Sequence, residues 1–152
     1  LPYKDFIFLV SIALIDNSEN TEYFLYKYNL SNKAKNRIKF IKTYYNKIFE
    51  KNFFTEKNLN RIYYYNGLSY TEDLIDFKIF NSKKINGNLN KLKQMYTKMT
   101  KPVFPIKANY LINNFKLKEG KNLGEKLRVL EEIWIDNKFK ISQKEIIKAV
   151  NS

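Results

Sequence analysis

The chain of 152 residues carries 28 lysine and arginine residues against 15 aspartate and glutamate residues, a formal charge of +13. It contains no cysteine and no histidine, which excludes disulfides, thiolate catalysis, zinc fingers and imidazole acid–base chemistry. The charge predicts attraction to polyanions, with nucleic acid the leading candidate, although an AT-rich genome that inflates lysine and asparagine would explain part of the same excess.

The spacing of apolar residues predicts an all-α fold. These residues recur at three- and four-residue intervals without sustained alternation, and at 44% of the chain they are sufficient for a buried core. We therefore expect an irregular multi-helix bundle, built as two small packed helical lobes. The turn signal Ile85-Asn86-Gly87-Asn88 separates residues 1–85, a helical body segment, from residues 86–152, a helical C-terminal tail segment.

The first predicted helix runs from about Tyr3 to Ile15 and is apolar enough to be buried on most sides. Its apolar run, residues 6–15, is roughly half of the ~20 residues that span a bilayer, so we expect a core helix and no membrane partner. The polar cluster at residues 17–21 is predicted to end this helix.

A second helix is predicted after Ser31, whose hydroxyl can cap free backbone amides. One face of this helix is apolar and is expected to be buried: Ala34, Ile38, Ile41, Tyr45 and Ile48. The opposite face is cationic: Lys33, Lys35, Arg37, Lys39 and Lys47.

Two threonines are predicted to precede the next two helices. The helix after Thr55 ends at Gly67 and presents an apolar face of Leu59, Ile62 and Tyr63. The helix after it begins at Thr71, with Glu72 and Asp73 in its first turn, where carboxylates stabilise the positive helix end.

The same acidic cluster is a candidate metal site. Asp73 and Asp76 are three residues apart and can share a helical face. Two-metal nucleotidyl transfer, however, needs carboxylates that hold ions about 4 Å apart beside a phosphate pocket, and compensation of the helix dipole explains the cluster better. We therefore predict no catalytic and no metal-binding residue, and a stand-alone enzyme is disfavoured.

In the second half of the chain, a helix is predicted from about Leu89 to Met99, ending before Pro102 because proline disfavours helix in the residue before it. The run Ser142-Gln143-Lys144-Glu145 is a capping box that opens the last helix. The buried side of that helix is predicted to carry Ile146, Ile147 and Val150.

The region between these helices holds the predicted binding site. An extended segment, Lys101-Pro102-Val103-Phe104-Pro105-Ile106, leads to a turn at Gly120, and Asn122 is a plausible N-cap of the following helix. The buried stripe of that helix is Leu123, Leu127, Leu130 and Trp134. A phosphate can dock on the free amides of such a helix start; alternatively, Gly120 and Gly124 only permit close packing. The predicted RNA-binding residues are Lys101, Lys107, Lys118, Gly120, Lys121, Asn122 and Lys126.

Aromatic residues offer a second possible kind of RNA contact. The run Tyr63-Tyr64-Tyr65 cannot be buried completely on one helix, so at least one ring is expected to be exposed and available to stack on a base. Trp134 is predicted to belong to the core, because it continues the leucine stripe.

Several of these motifs resemble the C-terminal end of bacterial tRNA nucleotidyltransferases of the poly(A)-polymerase superfamily. In that family P-x-F-P-I-x-G-x-D-L is followed by G-x-x-x-G-P-x-x-G-x-x-L and E-x-x-W, and here residues 101–106, Gly120-Lys121-Asn122-Leu123-Gly124-Glu125-Lys126-Leu127 and Glu132-Ile133-Trp134 are similar. The segment Tyr28-Asn29-Leu30-Ser31-Asn32-Lys33-Ala34-Lys35-Asn36-Arg37 resembles an L-S-N helix start in the body domain of the same enzymes. The family glycine and acid after F-P-I fall on Ala108 and Tyr110.

The resemblance implies a tRNA-binding, cytoplasmic C-terminal part of an enzyme that adds or repairs the 3′ CCA end. It also implies that the catalytic head, with its metal-binding aspartates, Mg²⁺ and CTP or ATP, lies elsewhere in the polypeptide, so that this part binds no cofactor and is inactive alone. The chain begins at Leu1 without methionine, and we expect it to be a piece of a longer protein. Two alternatives remain: a poly(A) polymerase of the same superfamily, and a non-catalytic helical protein-interaction module.

Overall fold

The computed structural model describes residues 5–82 and 87–152, and these residues confirm the all-α prediction. No β-strand forms within those ranges, and no helix there is long and apolar enough to cross a membrane. The helices are α1 (Phe6–Leu14), α2 (Asn20–Lys27), α3 (Asn32–Tyr44), α4 (Glu56–Asn66), α5 (Leu68–Phe80), α6 (Gly87–Lys98), α7 (Ala108–Phe115), α8 (Lys121–Asp136) and α9 (Gln143–Asn151), with a 3₁₀ turn at Lys47–Phe49.

The chain divides into two compact units. The first unit comprises residues 1–55 and 66–99, and the second comprises residues 56–65 and 100–152. Residues 87–99 therefore group with the first unit. The predicted boundary after residue 85 falls on residues 83–86, outside the described part of the chain, and stays a prediction.

In the first unit, α3 packs against α1, α2 and α5, and α5 packs against α6. Five side chains at the centre are completely buried: Ile38, Ile41, Ile48, Leu74 and Ile75. The Ser31 cap is confirmed, because its Oγ accepts a hydrogen bond from the Ala34 amide over 3.2 Å. The predicted apolar face of α3 therefore forms the core of this unit.

The prediction that α1 is buried on most sides is wrong. Phe8 and Ser11 are buried, but Phe6 and Leu9 are 72% and 52% exposed. Burial is one-sided because only one face of this short helix meets α3. Tyr3, where the helix was predicted to begin, lies outside the described residues.

A helix that the sequence did not predict follows the polar cluster at residues 17–21. The cluster does end α1, and within it the Ser18 amide donates to Asp16 Oδ1 over 2.9 Å. However, α2 begins at Asn20, inside the predicted break, and packs on α3. Tertiary packing therefore overrides the weak local propensity of this segment.

The prediction that the helix after Gly67 begins at Thr71 is also wrong. Helix α5 begins at Leu68, immediately after Gly67, which occupies the N-cap position with a φ of 86°. The carboxylates of Asp73 and Asp76 consequently lie inside the helix, where they bind cations and do not compensate its dipole. Asp73 is bound by Arg37, and Asp76 accepts from Lys93 Nζ over 2.8 Å.

Arg37, predicted to belong to the cationic face of the helix after Ser31, is therefore a structural residue. Its Nε and Nη2 donate to the Asp73 carboxylate, and its Nη1 donates to both Asp5 oxygens over 2.7 Å. The Asp73 side chain is only 2% exposed, so this ion pair is buried on one side and partly solvated on the other.

In the second unit, α8 packs against α7 and α9 around an apolar core of Ile106, Leu111, Leu123, Leu130, Ile146, Ala149 and Val150. The capping box of Ser142 and Glu145 is confirmed. Ile147, predicted to be buried, is 43% exposed, because α9 turns Ile146, Ala149 and Val150 towards the core and Ile147 away from it.

Helix α4 contributes residues 56–65 to this unit and is linked to α8 by charged and aromatic contacts. Arg61 forms ion pairs with Glu132 and Asp136, and Lys57 Nζ lies 3.1 Å from Asp136. Trp134 is 3% exposed, as predicted, and its ring packs against Tyr64, Phe104 and Phe139. These contacts position the surface on which the predicted binding residues lie.

Candidate nucleic-acid interface

The predicted binding segment enters the second unit without regular structure. Residues 101–107 form no helix, Ile106 is buried in the core, and Lys107 is the exposed residue that precedes α7. Helix α7, which the sequence did not predict, places the Tyr110 hydroxyl 3.1 Å from Gln143 Oε1 on α9. The position that resembles the acid of the family motif is therefore occupied by a phenol that contacts the last helix.

The start of α8 is open, but Asn122 is not its N-cap. The helix begins at Lys121, and Gly120 occupies the N-cap position with φ 137° and ψ −166°. This conformation is essentially restricted to glycine, and it starts the helix two residues earlier than an Asn122 cap would. No side chain caps the first amides of α8, and residues 120–122 are all exposed.

The two glycines of this region are not packing residues. A Cβ atom added at Gly120 or Gly124 would meet no other atom within 4 Å. Gly120 is required by its backbone conformation, whereas nothing in the fold of the second unit requires glycine at Gly124. The structure therefore gives no support to close packing as the reason for either glycine.

The predicted lysines separate into two groups. Lys118 is exposed, and Lys121 is 92% exposed with its Nζ 3.8 Å from Glu125 Oε1, a distance at which screening leaves little attraction. Lys126 instead donates to the backbone oxygen of Ala149 over 3.3 Å. Since Ala149 is in the last turn of α9, Lys126 stabilises the negative end of that helix.

Lys101 lies beside aromatic residues of α4 and not at the start of α8. Together with Tyr64, Tyr65, Phe104 and Glu131 it lines a groove of about 430 Å³, which we call the tyrosine groove. Tyr65 is 52% exposed, which confirms that the Tyr63–Tyr65 run presents an exposed ring. An exposed ring beside a lysine is the combination that single-stranded nucleic acid uses for stacking and backbone contact.

Carboxylates hold both tyrosines of this groove in place. The Tyr64 hydroxyl donates to Glu131, and the Tyr65 hydroxyl donates to Glu132 over 2.8 Å. Partial burial, followed by these hydrogen bonds, raises the pKa of each phenol to about 12. Both phenols therefore stay neutral hydrogen-bond donors, and the acids that hold them reduce the attraction of the groove for phosphate.

The tyrosine–glutamate pairs of the groove join residues that are 67 positions apart, and no signal in one sequence identifies them.

Most of the predicted binding residues lie on the surface. The exposed ones include Lys107, Lys118, Gly120, Lys121 and Asn122, whereas Lys126 is half-buried. Within residues 5–82 and 87–152 no group of three or more acidic side chains is arranged to hold a metal ion.

No family model, curated protein or solved structure matches this chain. Its functional interpretation therefore depends on the motifs of residues 101–134 and on the charge and aromatic exposure of the surface.

Proposed function

We propose that this chain is the RNA-binding C-terminal part of a tRNA nucleotidyltransferase, the enzyme that adds or repairs the 3′ CCA end of tRNA. The observation that carries the proposal is the start of α8. It combines first amides without a side-chain cap, a glycine with φ 137° and the exposed cations Lys118 and Lys121. The resemblance of residues 101–134 to the family motifs supports it.

The role of this surface is to bind the RNA backbone. The amides and the positive dipole end of α8 bind one phosphate group, and Lys118 and Lys121 add compact positive charge around it. Lysine lacks the planar fork with which arginine reads a guanine edge, so the surface recognises phosphate geometry more than base sequence. Nucleotide addition, with Mg²⁺ and CTP or ATP, belongs to the proposed head of the same polypeptide, which is also a proposed partner.

Poly(A) addition by a member of the same superfamily is compatible with the same surface. The two activities would share the helical scaffold and backbone contacts and would differ in the RNA that they select. Comparing tRNA with a single-stranded RNA of equal length separates them, because a CCA-adding enzyme selects the folded tRNA.

A helical protein-interaction module is a second candidate function, and one observation favours it. Phe6 and Leu9, which are three residues apart on α1, are 72% and 52% exposed and form an apolar strip in the first unit. Large contiguous apolar patches are characteristic of protein contacts, and under this alternative Phe6 and Leu9 would belong to such a patch. If the chain is such a module, substitutions of its surface lysines would leave binding of the protein partner unchanged, whereas Leu9→Glu would abolish that binding.

The experiment that tests the proposal measures the affinity of the full chain for tRNA and for double-stranded DNA of equal charge, across a range of salt concentrations. The test variant is Lys118→Glu/Lys121→Glu. Lys126 is left intact, because its loss would also disturb α9. The matched control is Lys51→Glu/Lys91→Glu, which makes the same charge change at two exposed lysines of the first unit.

We expect the parent protein to prefer tRNA over DNA and its affinity to fall as salt rises. The test variant should lose affinity for tRNA on the order of tenfold, because two charge-assisted contacts become repulsive, while the control changes much less. Equal binding of both nucleic acids, or equal loss in both variants, would contradict the proposal and favour the interaction module.

A further inference from the structure

The first unit contains a second cationic groove, between α2 and α3, which we call the α2–α3 groove. Its volume is about 580 Å³, within the range of pockets that hold small ligands. The lining combines lysines of α3 with polar and apolar side chains of α2: Thr21, Glu22, Leu25, Tyr26, Lys35, Lys39, Lys42 and Thr43.

The three lysines lie on one face of α3 because they are spaced at four and three residues. Lys42 is fixed in position: its Nζ donates to the backbone oxygens of Asp16 and Ser18 over 2.6 and 2.8 Å. The amines of Lys35 and Lys39 form no hydrogen bond or ion pair within the described part of the chain. Glu22 is the acidic residue of the lining, so the groove keeps a positive balance.

A buried hydroxyl in the same groove lacks a partner. Thr21 is 1% exposed, and its Oγ1 is buried with no hydrogen bond among residues 5–82 and 87–152. A buried polar atom without a hydrogen-bond partner destabilises the free protein. Since Thr21 lines the groove, an acceptor oxygen bound there would satisfy its hydroxyl, and phosphate supplies such an oxygen.

The groove also has an aromatic edge. Tyr26 is 90% exposed, the highest value among the large apolar side chains described. It follows the Thr21 position by five residues on α2 and lines the same groove, so its ring stands beside the lysines. An exposed tyrosine ring can stack only on a base that is not already stacked in a duplex.

We propose that the α2–α3 groove binds one phosphate of single-stranded RNA through Lys35, Lys39 and the Thr21 hydroxyl, with Tyr26 stacked on an adjacent base. The identity of the ligand as RNA rests on the function proposed above. The groove belongs to the first unit and uses none of the residues at the start of α8, so the two sites can be tested with different variants.

The test measures binding of a short single-stranded RNA oligonucleotide to the full chain by fluorescence anisotropy. Lys35→Ala/Lys39→Ala should reduce the slope of log affinity against log salt by about 0.7, since the one phosphate bound in the groove contributes about 0.7 on a single strand. The control Lys33→Ala/Lys51→Ala removes the same charge from exposed positions outside the lining and should leave affinity nearly unchanged.

Two further variants separate the site from general charge. Tyr26→Ala should weaken oligonucleotide binding at least about fivefold, and Tyr26→Phe should retain it, because the ring and not the hydroxyl stacks. Thr21→Val should weaken binding about two- to tenfold without lowering the melting temperature, because the free protein loses only an unsatisfied hydroxyl. A purely structural role for Thr21 would leave binding unchanged.

Equal affinity for duplex RNA of the same length, or displacement of the oligonucleotide by inorganic phosphate at equal concentration, overturns the proposal. So does a parent-like salt slope in the Lys35→Ala/Lys39→Ala variant. If the groove variants behave like the parent while Lys118→Glu/Lys121→Glu loses tRNA, the groove proposal alone fails. If the groove variants lose the oligonucleotide but tRNA and DNA bind equally, the tRNA proposal alone fails.

Discussion

Replacing Arg37 by alanine tests the conclusion that this cation is structural. In the first unit its guanidinium contacts two carboxylates of very different exposure: the Asp73 side chain is 2% exposed and the Asp5 side chain is 56% exposed. Arg37→Ala leaves the Asp73 carboxylate buried without a cation, whereas Asp5→Asn removes only the exposed arm. Asparagine at position 5 also keeps an oxygen for the Phe8 amide, which now donates to Asp5 over 3.1 Å.

The expected magnitudes differ severalfold. Breaking a buried ion pair by removing one partner costs about 3–5 kcal/mol, and for a chain of this length that lowers the melting temperature by roughly 6–20 °C. An exposed ion pair contributes at most about 1 kcal/mol. Burial raises the pKa of Asp5, but hydrogen bonds from Arg37 and the Phe8 amide outweigh it, so the net pKa is lowered and the pair is charged at neutral pH.

The assay is urea unfolding of each variant, followed by circular dichroism, which gives the free energy of unfolding. The slope of that free energy against urea concentration should be the same in all variants, so that the difference reports stability alone. The double variant Arg37→Met/Asp73→Leu should recover most of the lost stability, because apolar residues of similar volume often replace a buried pair without loss. Equal losses for Arg37→Ala and Asp5→Asn would refute the reasoning. So would a double variant as unstable as Arg37→Ala.

Two further predictions concern the second unit. The pKa of Tyr64 and Tyr65 is about 12 in the fold against 10.0 ordinarily, so the unfolded chain releases these protons first, and the unfolding free energy should fall as pH rises from 10.0 to about 12. Tyr64→Phe/Tyr65→Phe should flatten this decline in pH-dependent urea unfolding, and an unchanged decline would contradict the pKa assignment. Gly124→Ala should stabilise the protein by about 1 kcal/mol, because it removes an exposed helical glycine, whereas Gly120→Ala should destabilise it by about 1–3 kcal/mol. Thermal unfolding measures both, and a stabilising Gly120→Ala would be inconsistent with the φ of 137°.

Helix starts that depend on a local side-chain cap could be predicted from the sequence. Ser31 and Ser142 each accept a hydrogen bond from an amide three residues ahead, so the whole interaction lies within one turn. The starts of α5 and α8 were placed wrongly because glycine conformation sets them. Gly67 and Gly120 adopt positive φ, and one sequence does not reveal which glycines do so.

The interaction partners of individual charged residues could not be predicted, because these partners are distant in the chain. Arg37 and Asp73 are 36 positions apart, and Lys126 and the Ala149 carbonyl are 23 apart. From the sequence, Arg37 is predicted to lie on the cationic face opposite the apolar one, and Lys126 at a phosphate site. An Asn122 cap would place Lys121 before α8, whereas Lys121 is the first residue of the helix because Gly120 is its N-cap.

The ion pairs show which of the basic residues contribute to the stability of the fold. Three carboxylates with little exposure are each bound by a particular cation: Asp73 by Arg37, Asp76 by Lys93 and Asp136 by Arg61. Such cations contribute to the fold, and their removal should cost stability. Lys35 and Lys39, by contrast, have no ion pair in the described chain, so they contribute repulsion to the folded state.

Mutational drift and RNA binding both produce lysines on the surface, but only under drift do the positions of these lysines have no effect on RNA affinity. Under drift, replacing Lys35 and Lys39 or Lys118 and Lys121 should affect RNA affinity no more than replacing Lys51 and Lys91. Under RNA binding, replacing either of the first two pairs should reduce affinity, and replacing Lys35 and Lys39 should leave stability unchanged or higher, because their amines form no contact within the described chain. Opposite effects on affinity and stability at the same residues would therefore identify lysines retained for binding.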